Sequence, residues 1–122
     1  MTPGQTVDAF IAAIERKDLE AALEFVTPDI EYDNVPMGKN HGLDGIRSVL
    51  APFVSGCSAI EWVIHRQVEQ GDIVMNERTD RFQLGERWID LPVAGLFELR
   101  DGRICLWRDY FDATTFTNAL AG

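Results

Sequence analysis

The chain has 122 residues, 46% of them hydrophobic, which suits one domain over residues 1–122 with a core that needs no metal or disulfide staple. Its formal net charge of -9 argues against a nucleic-acid partner, because phosphate binding rests on a surplus of Lys and Arg. Cys57 and Cys105 form no ligand or redox motif, and there is neither a basic leader nor a run approaching the ~20 apolar residues of a membrane helix, so a soluble, unprocessed, cytoplasmic protein is expected.

Thr2 can cap a first helix, Pro3 suits its first turn, and Val7, Phe10, Ile11 and Ile14 share one face, with an end near Lys17. Asp18 caps a second, short helix whose apolar stripe is Leu19, Ala22, Leu23 and Val26, stopping before Pro28. The segment "IEYDNVP" alternates as a strand. A third helix begins near Gly42, with Leu43, Ile46, Val49, Leu50 and Phe53 on one face and Pro52 expected to end or bend it. Long extended runs follow, "AIEWVIHRQVE", "DIVMNERTDRFQL", "RWIDLPVAGLFEL" and "RICLWRDYF", separated by "QGD", "LGE" and "DG" turns, which reads as an antiparallel meander. Asp112 or Thr114 can cap a last short helix. Helices first and strands after predict an α+β fold, with the helices over one concave face of a mostly antiparallel sheet.

Alternation on the strands sorts the polar residues into faces. Asn76, Arg78 and Asp80 form one row between apolar Val74 and Phe82. Asp109 shares its face with Trp107 and Phe111, and a carboxylate there needs a partner. If Asp101-Gly102 is a two-residue turn, Asp109 lies opposite Ala94. A three-residue loop, Leu84-Gly85-Glu86, then places Asn76 opposite Ala94 as well, and a shorter loop or a bulge would reverse that parity. Tyr32 and Asn34 share one face of the early strand, and each can orient a water molecule. The row is either a structural ion-pair network or a site. Neither His41 nor His65 has metal-ligand spacing or a nucleophile motif nearby, so no metal site is indicated. Trp62, Trp88 and Trp107 read as core or pocket wall.

The segments "YDNVPM", "NERTDRF", "LPVAGLFEL" and "GRICLWRDYFD" closely resemble the limonene-1,2-epoxide hydrolases, from the first helix almost to the C-terminus and with the motifs in family order. The resemblance implies the curved-sheet cone of the nuclear-transport-factor-two-like superfamily, a homodimer, and cofactor-independent addition of water to an epoxide. It assigns Asp109 as the general base on water, Tyr32 and Asn34 as holders of that water, Asp80 as the general acid and Arg78 as the bridge between the carboxylates. Two aspartates around one arginine favour uptake of one proton on burial. To be half protonated at neutral pH, an Asp must be pushed from about 3.9 to about 7, on the order of 4 kcal/mol.

A small lipophilic epoxide needs an apolar pocket. Met37, Leu50 and Phe53 are expected to line it from one side and Phe82, Leu84, Leu96, Trp107 and Phe111 from the sheet, with Val63, Ile64 and Met75 as further wall candidates. Two other readings stay open at this point: an isomerase or cyclase of the same fold using Asp109 as its base, and a non-catalytic binding or dimerisation module.

Overall fold

A computed structural model describes residues 1–122. The elements run α1 (Pro3–Glu15), α2 (Leu19–Leu23), β1 (Val26–Asn34), β2 (Gly38–His41), α3 (Gly42–Gly56), β3 (Ala59–Gln70), β4 (Ile73–Leu84), β5 (Arg87–Arg100), β6 (Arg103–Tyr110) and α4 (Ala113–Ala121). The strands make one open six-stranded sheet in the order β2-β1-β6-β5-β4-β3. All pairings are antiparallel except that of β1 with β6. The fold is α+β, with the helices packed against one face of the sheet.

Local chemistry accounts for the helix starts. Thr2 Oγ1 accepts from the Gln5 amide and the Gln5 side chain accepts from the Thr2 amide, a reciprocal cap, while Pro3 fills the first turn. The face of α1 that carries Val7, Phe10, Ile11 and Ile14 is buried against the sheet together with Trp107, Phe97 and Ile104. Asp18 caps α2 by accepting from the Ala21 amide.

Two boundaries differ from the pattern in the sequence. Val26 belongs to β1, not α2, because the pairing of β1 with β6 shifts register between Val26 and Glu31 and so admits Pro28 into the strand. Pro52 does not end the third helix. It sits on the exposed side of α3, which continues to Gly56 and keeps Leu50 and Val54 buried.

The β5–β6 turn is Asp101-Gly102, both with positive φ (53° and 79°), the conformation that matches hairpin twist. Along β4 and β5, residues alternate between burial under the helices and exposure on the opposite face. The inward faces of β4, β5, β6 and β1 converge under α1 and α3, and the polar row lies there.

Candidate active site

Strict alternation on β4 carries Asn76, Arg78 and Asp80 inward between Val74 and Phe82, where all five are buried. The row continues across the sheet because Asn76 pairs with Gly95 and Gly95 pairs with Asp109. The register reached is not the expected one. The β4–β5 loop has two residues, Gly85-Glu86, since Leu84 pairs with Arg87, and β6 carries a bulge at Cys105, between the pairs Glu98–Leu106 and Leu99–Ile104. Each departure moves the partner by one position in the same direction. The common partner of Asn76 and Asp109 becomes Gly95 rather than Ala94, and the row survives.

Arg78 is the centre of the cluster. Its side chain is 0% exposed, against 8% for Asp80 and 6% for Asp109. Nε donates to Asp80 Oδ1 at 2.9 Å, and Nη2 donates to Asp80 Oδ2 at 3.0 Å and to Asp109 Oδ2 at 2.9 Å. Nη1 donates to Asn76 Oδ1 at 2.9 Å. The cation also lies 5.5 Å from the centre of the Trp62 ring. The other oxygen of Asp109 accepts from Trp107 Nε1 at 2.8 Å.

Tyr32 and Asn34 come from β1, which runs parallel to β6 and sets Asn34 beside Asp109. Asn34 Nδ2 donates to the Tyr32 hydroxyl at 3.0 Å, leaving the hydroxyl proton and the amide oxygen for a third group. The Tyr32 ring stacks on Trp107 with centroids 4.1 Å apart.

Burial governs the charges. It raises the Asp80 carboxyl to about 6, helped by the negative charge of Asp109 and opposed by the bonds from Arg78. Burial works against the charge of Arg78, but the two carboxylates outweigh it and hold the guanidinium protonated. Burial first, and Asp109 second, raise the Tyr32 hydroxyl, so it stays neutral. The Asp80 shift runs toward the half-protonated state at neutral pH set out above.

A cavity of about 340 Å³ opens beside this cluster. Tyr32, Asn34, Asp80 and Asp109 line it, and Arg78 does not, so the arginine supports the polar wall from behind. Of the expected apolar wall, Met37, Leu50, Phe53, Phe82 and Phe111 are in place. Three expected wall residues lie elsewhere. Leu96 is on the opposite face of the sheet, paired with Met75 and Arg108; Leu84 lies beyond the cavity at the end of β4; and Trp107 is fully buried, where it supports Asp109. Val63, Ile64 and Met75 are outside the lining as well, Met75 being 47% exposed. Trp88 is neither core nor wall, since it lies half-exposed under the Arg81 guanidinium.

Trp62 on β3, expected as core or wall, lines the cavity, and so do residues the sequence reading did not single out, chiefly Leu91 and Val93 on β5 and Phe116 on α4. Leu91 and Val93 share the inward parity of Gly95, whereas the expected register turns Ala94 and Leu96 inward instead. Gly95 itself was not legible. A Cβ there would lie 2.3 Å from Arg78 Nη1, so the absent side chain is the space the guanidinium occupies.

Known proteins resemble this chain in sequence and in fold. The sequence profile of the limonene-1,2-epoxide hydrolase catalytic domain matches residues 1–121. Epoxide hydrolase EphG of Mycobacterium tuberculosis (strain ATCC 25618 / H37Rv) is 37% identical over 107 residues, which cover 87% of this chain and 70% of that protein. A solved structure of an M. tuberculosis epoxide hydrolase of the limonene-1,2-epoxide hydrolase type superposes with a TM-score of 0.84 at 33% identity, covering 98% of this chain and 89% of the other. An NTF2-like protein of unknown function from Burkholderia pseudomallei K96243 superposes with a TM-score of 0.86 over 100% of this chain and 99% of its own; at 19% identity it shares the fold alone.

Proposed function

The chain belongs to the limonene-1,2-epoxide hydrolase family and is an epoxide hydrolase, and from that premise we propose that it adds water to a small lipophilic epoxide in one step, giving a vicinal diol without a covalent intermediate. The observation that carries this reading is one buried guanidinium donating at once to two aspartates, both of which line the same apolar cavity.

Asp109 takes a proton from water while the water oxygen forms its bond to an epoxide carbon. The carbon–oxygen bond of the ring breaks, and Asp80 delivers its proton to the departing oxygen. Before the step the cluster holds neutral Asp80, cationic Arg78 and anionic Asp109. After it, Asp80 is the anion and Asp109 carries the proton. The cluster is net neutral in both states, so the reaction shifts charge across a buried site without creating any, and Arg78 bonds to both ends of the shift. Tyr32 and Asn34 fix the water beside Asp109. Each oxygen of Asp109 accepts one bond, from Trp107 or from Arg78, and keeps a lone pair for the water proton.

The cavity supports a lipophilic substrate: 11 of its 16 lining residues are hydrophobic, among them Leu50, Phe53, Phe82, Phe111 and Phe116. We propose a homodimer through the sheet face away from the helices, where Val68, Ile73 and Met75 are exposed and Val68 pairs with Met75.

The test is diol formation from limonene oxide and cyclohexene oxide by gas chromatography. Asp80→Asn and Asp109→Asn are each expected to lower turnover by about 10²–10⁴-fold, and near-normal turnover in either removes that residue's role. The pH profile is a second readout. The acid is competent while Asp80 holds its proton, so kcat/KM of the wild type falls about tenfold per unit as pH rises above about 6. A profile flat from pH 6 to 9 would exclude Asp80 as the acid.

A further inference from the structure

Arg78 touches a fourth group that the reaction does not consume. Asn76 is 6% exposed, and its Oδ1 accepts from Arg78 Nη1 at 2.9 Å. Its amide nitrogen donates to Gln67 Oε1 at 3.0 Å, and Gln67 Nε2 donates onward to Asp8 Oδ1 at 3.0 Å and to the Gly4 carbonyl at 3.4 Å. The line runs from the site through β4 and the edge strand β3 to the first turns of α1.

Its polarity is fixed at both ends. A guanidinium only donates and a carboxylate only accepts, so each amide between them has one workable orientation. Turning the Asn76 amide over would set its NH₂ against Arg78 and its oxygen against an acceptor, breaking two bonds together. Gly95 pairs with Asn76 from the other side, and a Cβ there would lie 2.8 Å from Asn76 Oδ1, so nothing else competes for that oxygen.

We propose that Asn76, locked by Gln67, is a positioning residue for the reaction: its amide oxygen holds the Arg78 guanidinium in the one tilt that spans Asp80 and Asp109. The inference rests on the reading of those aspartates as acid and base. Without the Asn76 acceptor, Arg78 already makes two bonds to Asp80 and one to Asp109, so it would settle on Asp80 and loosen from Asp109. That would bind the acid's proton less well and leave the base less well placed. The ionisable groups facing this assembly are Asp80 on β4, Asp109 on β6, Tyr32 on β1, Glu15 on α1 and, at the outer end, Asp8 on α1 and Glu69 on β3, which accepts from the Gly4 amide.

The experiment measures kcat and KM against pH for Asn76→Leu, Asn76→Asp and Gln67→Leu with limonene oxide, and Asp80→Asn run alongside. Asn76→Leu is expected to lower kcat by about 10–100-fold with KM changed less than about twofold, the mark of misplaced chemistry rather than lost binding. Asn76→Asp keeps an acceptor but puts a third anion on Arg78. The Asp80 carboxyl then holds its proton more tightly, so the limb of the kcat/KM profile at higher pH moves up. That charge acts whatever the role of the amide, so the uncharged Asn76→Leu is the discriminating profile: an arginine settled on Asp80 moves the same limb down, and a merely structural amide lowers stability and leaves it in place. An unmoved limb or wild-type kcat in folded Asn76→Leu overturns the proposal. Should the Asn76 variants not fold, Gln67 decides it: Gln67→Leu, which removes the acceptor of the Asn76 amide, is expected to lose about fivefold in kcat. Equal kcat in wild type and Gln67→Leu overturns the proposal. Full activity in Asp80→Asn is a separate failure, of the acid–base reading beneath.

Discussion

Gly95 sets how closely the polar atoms of three strands approach one another. Its missing side chain lets Arg78 cross over β5 to reach Asp109, and an added Cβ would meet Nη1 at 2.3 Å, Asn76 Oδ1 at 2.8 Å and Asp109 Oδ1 at 3.1 Å. These atoms end locked, buried side chains with no room to yield. Gly95→Ala is therefore expected to cost about 1–3 kcal/mol of stability through overpacking and about 10²-fold in kcat through displacement of the arginine, measured by urea denaturation and diol assay. Wild-type kcat in the folded variant would show that the spacing is not critical. The grouping of Tyr32, Asn34, Arg78, Asp80 and Asp109 was legible in the sequence, since the motifs are made of polar and ionisable side chains. Gly95 was not, because its contribution is an absence. Trp107 was legible as an inward residue, but its indole N–H bonds to a carboxylate two positions along its own strand, which face assignment alone does not reveal.

Among the elements, β4 explains most of the site and α4 guards its rim. No residue of α4 is fully buried, yet Phe116 reaches the cavity and contacts Phe82 and Phe111. What fastens the helix is Arg87 at the start of β5, which donates to the carbonyls of Ala119 and Leu120, two of the otherwise unpaired acceptors at the helix end. Arg87→Ala should loosen the Phe116 wall and leave the acid and base untouched. The expected outcome is a KM about 3–10-fold higher with kcat nearly unchanged, read from steady-state kinetics; a fall in kcat with constant KM would separate α4 from substrate binding. The strand order of the meander was legible from its turns. Its register was not, because a two-residue loop and a bulge at Cys105 each move the pairing by one place, and only their combination keeps Asp109 in the row with Asn76.

In the molecule as a whole, charge and apolar surface are divided between the two faces of the sheet. The helix-covered face holds the site, while the other exposes Val68, Ile73 and Met75 among ion pairs such as Arg66–Glu77 and Arg81–Asp90. If that face joins two copies, light scattering should give twice the 13.7 kDa of the chain, and Met75→Asp should shift the mass toward one copy. A wild-type mass of one copy would remove the dimer from the account.

The neighbouring of β1 and β6 has a further consequence, in time rather than space. Asn34 and Asp109 are partners across a parallel pair, yet β2, α3, β3, β4 and β5 all lie between them in the chain. A ribosome delivers Tyr32 and Asn34 long before Asp109, and within the sheet β1 has only the short β2 beside it until β6 emerges. Closing so long a loop is the slow kind of contact. A fragment that lacks β6 leaves β1 and β5 unjoined and has no Asp109, so the interior of the sheet and the polar row are complete only once β6 is in place.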